Sequence, residues 1–540
     1  MKALRKHGYW LLFAAVALAT VYMDVYVAHN VLDGDASDFM CRAWTFARER
    51  NPFTKAYYAT TELRPLDISF VFSLFFLLTD NWTVVRVLGT VVMQAAYTAS
   101  FLFMTRQAGV KRSARVTAAA LLLTPFSTCY ARLVLYHLHY ILYLGNAFLL
   151  VGLTLMVLQR TGRRRVLPAC LLGLLWLFVG LNGVRHLMII GAPMLLFCAI
   201  ALYRALNQTG WQRGVGLRRQ PIWYTDAARL TAIMAAGCLC FAVGYVVNQK
   251  VLLPYFGTVN SASVTFTPNH SANQYTDILN GLLLAIGARY SGNPVMGLRG
   301  LSLLAALFGF DWMVWRSLRS LWEPLPLERR LMPGLLALSL FTTTLVFVFE
   351  DSQRHYVQYY APVVALAAPL LAWELDRMDG AKLGRRAVSL LCCLCLLFQG
   401  AYTLYYLRVE KNRMDAWSGL PVKNLSLADE CRDCLDFMRQ NGYDYAWMEY
   451  WHASVMTELS QGGVTAAPYN LEDGMPRLYQ WGVSRAAVQR QNMPDTLLVF
   501  IPLEDTQAFE AAVPSAGQVW TGWKFAGYLL STDLLLLSER

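Results

Sequence analysis

Residues 10–27 read WLLFAAVALATVYMDVYV, with Asp24 the one charged residue in the run. Lys2, Arg5 and Lys6 stand in front of it, and the acidic stretch LDGDASD (32–38) follows shortly after. A helix needs ~20 mostly apolar residues to cross the hydrocarbon core of a bilayer, so this run reads as a membrane span. Asp24 and Tyr26 are poor substitutes for the small-x-small site that ends a cleaved signal peptide. The span is therefore expected to stay attached. Its basic flank puts the N-terminus on the cytoplasmic side and the acidic stretch just beyond the outer membrane edge.

The pattern repeats along the chain. Val84–Met104, Met332–Phe349 and Ala387–Tyr406 are apolar runs of similar length. Over 540 residues, 56% are hydrophobic and only 15% charged, with a mean hydropathy of +0.36. A soluble chain carries about 25% charged residues. The formal net charge of +12 would suit a nucleic-acid partner, but the basic residues sit in short loops between apolar runs, as cytoplasmic loops of membrane proteins do. Nucleic acid is excluded on that ground. Most of the eleven cysteines lie inside apolar runs, as Cys392, Cys393 and Cys395 do, and read as packing residues. Cys431 and Cys434 form a CxxC without a second pair, which favours a local disulfide or two free thiols over zinc.

The basic loops fix a sidedness. Leu66–Leu78 is apolar but short; if it crossed, Arg106, Lys111, Arg112 and Arg115 would fall outside. It therefore reads as an interfacial or re-entrant helix in an outer loop, 29–83. With that choice, spans at 10–27, 84–105, 116–134, 138–158, 166–182, 187–204, 230–248, 296–315, 332–349, 357–374 and 387–406 leave every later basic cluster inside. Residues 277–291 read as amphipathic and non-crossing. The expected fold is thus a polytopic α-helical membrane protein of about eleven transmembrane helices, in the plasma membrane with a cytoplasmic N-terminus. The transmembrane module covers 1–406. Residues 407–540 mix charge, Gly and Pro with short apolar runs such as Thr496–Pro502 and Tyr528–Leu537, alternating with helical stretches such as 427–441. They read as a small extracytoplasmic α/β domain.

Polar groups gather at the outer ends of the spans, where ionisable residues are costly and read first as functional. Asp33 and Asp35 lie directly beyond the first span. A carboxylate there could take a proton from an acceptor hydroxyl, and the Asp-x-Asp spacing could hold a hard divalent cation such as Mg or Mn through oxygen ligands. On local sequence alone a capped turn opening a helix at 36–50 accounts for the same residues equally well. Arg354 opens the late outer-edge segment 350–362; its planar fork suits phosphate, and a snorkelling interfacial arginine is the plainer reading. Tyr356, Tyr359 and Tyr360 beside it suit an aromatic belt. Arg132, His137 and His139 mark one outer hairpin, and Asn182, Arg185 and His186 the next. Two histidines two apart on a helix do not share a face, which argues against zinc. Glu62 and Arg64 suit an ion pair in the first outer loop.

These residues, in this order, resemble the GT-C superfamily of multi-pass glycosyltransferases, in particular the protein O-mannosyltransferase and aminoarabinose-transferase branch. The acidic motif follows the first span. Leu63-Arg-Pro-Leu-Asp-Ile is similar to the branch's His-Pro-Pro-Leu. Asp80-Asn-Trp-Thr-Val-Val-Arg-Val-Leu-Gly89 is similar to its Gly-x-Ser-x-Trp-x-x-Arg, and Arg354-His-Tyr-Val-Gln-Tyr-Tyr-Ala-Pro to its basic-x-Tyr-x-x-Pro. Tyr57-Tyr-Ala-Thr-Thr-Glu-Leu-Arg64 taken with Asp33-Gly-Asp-Ala-Ser also resembles bacterial GT-C-like membrane proteins of unassigned substrate. Tyr445–Gly462 resembles that group's outer tail and carries no assigned chemistry. The resemblance covers about 1–406. It implies a polyprenyl-phosphate sugar donor, an outer active site, inversion at the sugar, and an acceptor glycan, lipid or protein of the cell envelope. Asp35 would be the general base with Asp33 its rival. Arg354, His355 and Arg185 would meet the donor phosphate, and Asp38, Tyr58, Glu62, Arg64, His137, His139 and Tyr356 the substrates. The chain departs from the pattern in having Arg-Pro for the double proline and His137/His139 where the family often carries an acidic residue. The competing expectation is a lipid-linked sugar flippase or transporter. Such proteins commonly show repeated halves and mid-membrane charges, which this sequence lacks.

Overall fold

The computed structural model describes residues 2–30, 32–59, 63–208, 225–257, 272–288, 296–349, 356–378, 383–409, 413–414, 421–422 and 427–537. Its helices run in order as α1 Lys2–Asn30, α2 Gly34–Glu49, α3 Ile68–Phe76, α4 Trp82–Gln107, α5 Arg112–Leu122, α6 Thr128–Tyr130, α7 Ile141–Gln159, α8 Val166–Leu181, α9 Ala192–Gln208 and α10 Asp226–Val247. There follow α11 Leu253–Phe256, α12 Ala272–Ala285, α13 Leu298–Trp322, α14 Leu327–Phe349, α15 Tyr356–Ala365, α16 Ala367–Asp376 and α17 Leu383–Val409. Among the described residues nine helices are long and apolar enough to cross a membrane: His7–Tyr26, Trp82–Gln107, Ile141–Gln159, Gly162–Leu181, Leu187–Asn207, Asp226–Phe256, Gly300–Trp322, Leu327–Phe349 and Leu383–Tyr405. The chain is a multi-pass helical membrane protein by that measure.

The two remaining expected spans, 116–134 and 357–374, are broken helices, and proline explains both breaks. Pro125 cannot donate to the carbonyl four residues back and disfavours helix at Thr124; α5 stops at Leu122, and α6 restarts with the Ser127 hydroxyl oxygen accepting from the Tyr130 N–H at 3.1 Å. Pro369 likewise removes the bond to Ala365, where α15 ends before α16 begins. Broken backbone at membrane depth persists only where protein surrounds it, and the residues flanking these breaks, Leu121, Tyr130, Ala365 and Leu366, are buried. The α3 helix has nine residues, too short to cross. The α8 and α10 helices cross closely at Gly180 and Gly244, where an added Cβ would run into the backbone of Phe241 and Leu177, the small-residue contact that lets membrane helices approach.

Hydrogen bonds sort the turns into two sets. At one end Lys111 N donates to Asp376 Oδ1 at 2.8 Å, and Arg316 and Arg385 both reach Glu374. At the other end lie α2, α3 and the turns around His137, Asn182 and Asn248, joined by Leu66 N to Asn182 Oδ1 and Asn248 Nδ2 to the Leu63 carbonyl.

The C-terminal elements are β2 Arg413–Met414, β3 Pro421–Val422, α18 Leu427–Asn441, β4 Tyr445–Glu449, α19 Tyr450–Leu459, β5 Thr465–Glu472, β6 Met475–Leu478, β7 Val483–Ser484, β8 Thr496–Pro502, α20 Thr506–Ala512, β9 Gly517–Thr521, β10 Phe525–Ser531 and α21 Thr532–Leu537. β1, Tyr57–Tyr58, belongs to the acidic-loop segment and pairs antiparallel with β7. A six-stranded sheet runs β6-β5-β4-β8-β10-β9, with β4 parallel to β5 and β8. β8 sits in mid-sheet and is buried from Leu497 to Pro502, as a strand covered on both faces must be. Its side chains alternate: Leu498 and Phe500 join the core under α18 and α19, while Leu497, Val499 and Ile501 join the opposite core. The run 528–537 is not one strand; it ends as strand at Ser531 and turns into α21. Cys431 and Cys434 are free and buried on one face of α18, so their spacing serves packing, not a disulfide.

The sheet is bound to the helical part through α19. Arg86 Nε and Nη2 donate to Glu458 Oε1 and Oε2 at 2.5 Å each, and Nη2 also donates to the Ala36 carbonyl at 3.0 Å. Gly34 is needed at the contact because a Cβ there would lie 3.0 Å from the Trp451 backbone.

Candidate functional site

The acidic stretch folds as the start of α2. Asp33 is the N-cap: its Oδ1 accepts from the Ala36 N–H at 2.8 Å, satisfying one of the orphan amides that every helix start leaves. Its Oδ2 faces the turn between α6 and α7, with Arg132 Nη2 at 2.7 Å and His137 Nδ1 at 2.9 Å. Burial works to raise the Asp33 pKa, but the neighbouring His137 and Arg132 charges outweigh it and hold the carboxyl well below its usual range. Asp33 is thus an ionised, capped and paired carboxylate.

Asp35 points elsewhere. Its Oδ1 accepts from the Tyr450 hydroxyl at 2.9 Å, and it is partly buried. Burial raises its pKa, the Asp33 charge raises it further, and the Tyr450 bond and the Arg64 and Arg132 charges offset this only in part. Of the two expected bases Asp35 has the lone pairs and the proton affinity; Asp33 has neither to spare. Burial and the Asp35 charge push the Tyr450 phenol well above its usual range, so it remains a donor. Asp38 is buried, pushed up to about 7 by burial, and accepts from the Tyr57 hydroxyl at 2.7 Å. The Gly482 carbonyl lies 2.9 Å from the same hydroxyl, so the two acceptors share its one proton. Asp38 therefore ties α2 to the C-terminal segment through Tyr57.

His137 and His139 are not on a helix. Leu138 between them has φ 62°, and the turn is pinned by Tyr140 N to the Leu133 carbonyl at 3.0 Å. This geometry brings donor atoms of Asp33, His137 and His139 within 4.8 Å of one another, so the argument against a metal from helical spacing does not apply. Burial pushes His139 down to about 3, which keeps its imidazole neutral. The trio nevertheless fits a divalent ion poorly, because the Arg132 guanidinium already fills the cation position on Asp33 Oδ2. Asp33 and Asp35 do not chelate jointly either, since one turns to Arg132 and the other to Tyr450.

Arg64 and His139 line a small pocket with Asp67, Asn182, His186 and Phe39. Asp67 caps α3 through Ser69 N and pairs with Arg42 at 2.8 Å. A second, apolar pocket lies between the two broken helices, α13 and α17, and Tyr130, two residues before Arg132, is on its wall. Tyr58 lies in β1 under the Arg485 guanidinium, 4.4 Å from the ring centroid. Arg185 stands 5.8 Å over the Tyr359 ring. Tyr356 begins α15. Glu62, Arg354 and His355 lie outside the described residues.

Tyr450 is a site residue without a local sequence signal. It sits inside Tyr445–Gly462, the tail segment that resembled other chains without an assigned chemistry, and nothing local ties it to Asp35.

No protein-family profile and no curated protein matches the chain. Among solved structures, the chain is similar to an oligosaccharyltransferase of Archaeoglobus fulgidus, whose crystal structure was tethered with an acceptor peptide containing the NVT sequon via a disulfide bond. The match has 13% sequence identity and a TM-score of 0.49, over 98% of this chain and 74% of that one.

Proposed function

We propose that this chain is a GT-C-type membrane glycosyltransferase that moves a sugar from a polyprenyl-phosphate donor to an acceptor hydroxyl, with inversion, on the extracytoplasmic side. The observation that carries the reading is the partly buried Asp35, its proton affinity raised, two positions along from a carboxylate paired with Arg132. In this reading Asp35 takes the acceptor's O–H proton as that oxygen bonds to the sugar C1. The C1–O bond to the phosphate breaks, and the phosphate leaves with the electron pair. A base positioned in this way is worth about 10²–10⁴ in rate, and preorganised positive charge at the leaving group adds to it. Arg64 supplies that charge among the described residues, and Arg354, His355 and Arg185 are the further phosphate candidates from the sequence. The apolar cavity walled by Tyr130 gives the first isoprene units of the donor a place inside the bundle. Aqueous donors would have no use for it. No divalent ion is assigned through Asp33 and Asp35, whose carboxylates face Arg132 and Tyr450.

The test is transfer of labelled sugar from a synthetic polyprenyl-phosphate donor by the protein in lipid nanodiscs. Labelled product bonded to an acceptor supports the reading. Movement of intact labelled donor between leaflets with no new glycosidic bond points to the flippase.

A further inference from the structure

Beside Asp35 lies a group of rings that the proton-transfer reading does not use. Tyr450 and Trp481 stack with centroids 5.5 Å apart and planes 27° from parallel. Tyr479 meets both edge-on, at 5.7 Å from Tyr450 and 4.9 Å from Trp481. Trp451, 36% exposed, packs against the edge of Tyr450 at 5.1 Å. Tyr479 and Trp481 are half-exposed, and the Trp481 indole N–H finds no acceptor among the described residues. A buried donor without a partner is uncommon and asks for an explanation.

The rings are held in place from both sides. Tyr479 N donates to the Pro468 carbonyl at 2.9 Å and Trp481 N to the Tyr479 carbonyl at 2.8 Å. The next residue, Gly482, is tied to Tyr57, and β7 pairs with β1. The segment therefore cannot drift from α2, and a ligand seated on it meets a preorganised surface.

We propose that Tyr479 and Trp481, backed by the buried Tyr450, form a platform that seats a pyranose ring of the acceptor beside Asp35, so that the acceptor is a glycan or the sugar headgroup of a glycolipid. The inference rests on the reading of Asp35 as base. A sugar ring has an apolar face of C–H bonds and a polar rim, which matches aromatic rings carrying phenol and indole handles. The groups around Asp35 divide by charge. The Arg64 guanidinium, whose charge acts on Asp35, suits the anionic donor phosphate. The uncharged rings suit a neutral sugar. Because Tyr450 donates to Asp35 and stacks on Trp481, a ring on the platform has its hydroxyls within reach of the base.

The test uses the full chain in nanodiscs and the methyl glycosides of glucose, galactose, mannose and N-acetylglucosamine as probes. Saturation-transfer NMR is expected to mark the C–H protons of one ring face of at least one glycoside. Trp481→Ala is expected to abolish that signal and Trp481→Phe to retain part of it. In the transfer assay, Trp481→Ala raises KM for a glycan acceptor tenfold or more, with kcat changed less than threefold. The platform is overturned if no glycoside gives saturation transfer with the wild-type protein, or if Trp481→Ala and Tyr479→Ala leave both the signal and the acceptor KM unchanged. The binding arm needs no turnover. Binding lost in Trp481→Ala, alongside transfer that survives Asp35→Asn, would sink the base and leave the platform standing.

Discussion

Replacing Glu458 with Ala should release the C-terminal sheet from the acidic helix. Glu458 and Arg86 are each 5% exposed at the side chain, and the guanidinium makes two bonds to the carboxylate and one to the Ala36 carbonyl. Removing one partner of such a pair leaves a buried charge unmatched, at a cost of about 3–5 kcal/mol. At ~1.4 kcal/mol per tenfold, the undocked population rises by about two to three and a half powers of ten. Limited proteolysis of nanodisc-embedded protein reads this directly, because cleavage follows the open population when opening and closing are fast. Cleavage between α17 and α18 should accelerate at least a hundredfold. Transfer should fall with it, since Tyr450 rides on the same helix as Glu458. The double variant Arg86→Met/Glu458→Leu leaves no stranded charge, and replacing both members of a buried pair is often neutral; its cleavage rate should return to within about tenfold of wild type. If Glu458→Ala stays within fivefold of wild type, or if the double variant is as labile as the single one, the ion pair does not hold the domain.

Tyr450→Phe removes a hydrogen bond that favours the charged form of Asp35, so the acid limb of the transfer–pH profile should move to higher pH. An unmoved limb would separate Tyr450 from the base. Asp38 has a folded pKa of about 7, above the ~3.9 of an unfolded chain. The stability linked to its protonation is therefore complete below about pH 4 and lost as pH rises through 7. Asp38→Asn should flatten the thermal-stability profile across that window, and an unchanged slope would contradict the assignment. Gly34→Ala forces a methyl against the Trp451 backbone, which cannot rotate away, and should cost about 1–3 kcal/mol, read as a lower melting midpoint with lower transfer. Cys431 and Cys434 should resist maleimide in the folded protein and both react after denaturation without reductant; a single mass two hydrogens short would mean they are bonded.

Long apolar runs were legible because span length is fixed by the bilayer, and the basic loops are consistent with the short α3 not crossing. The two broken helices carried their signal in Pro125 and Pro369, but hydropathy averages over a break and reported them as continuous spans. Strand β8 and helix α18 were readable from composition and period. At the site, Asp33 and Asp35 were found but not told apart, since their roles depend on partners 99 and 415 residues away in sequence. His137 and His139 were misread for a local reason. The positive φ of Leu138 turns both rings toward Asp33, and a leucine gives no hint of that conformation.

The central claim is that Asp35 removes the acceptor proton. The most direct measurement is the single-turnover rate of sugar transfer from a synthetic polyprenyl-phosphate donor, comparing wild type with Asp35→Asn at equal protein and equal melting midpoint. Asn keeps the size and the acceptor oxygen for Tyr450 but cannot take the proton, so the rate should fall by about 10²–10⁴. Transfer by Asp35→Asn within a few-fold of wild type would contradict the account.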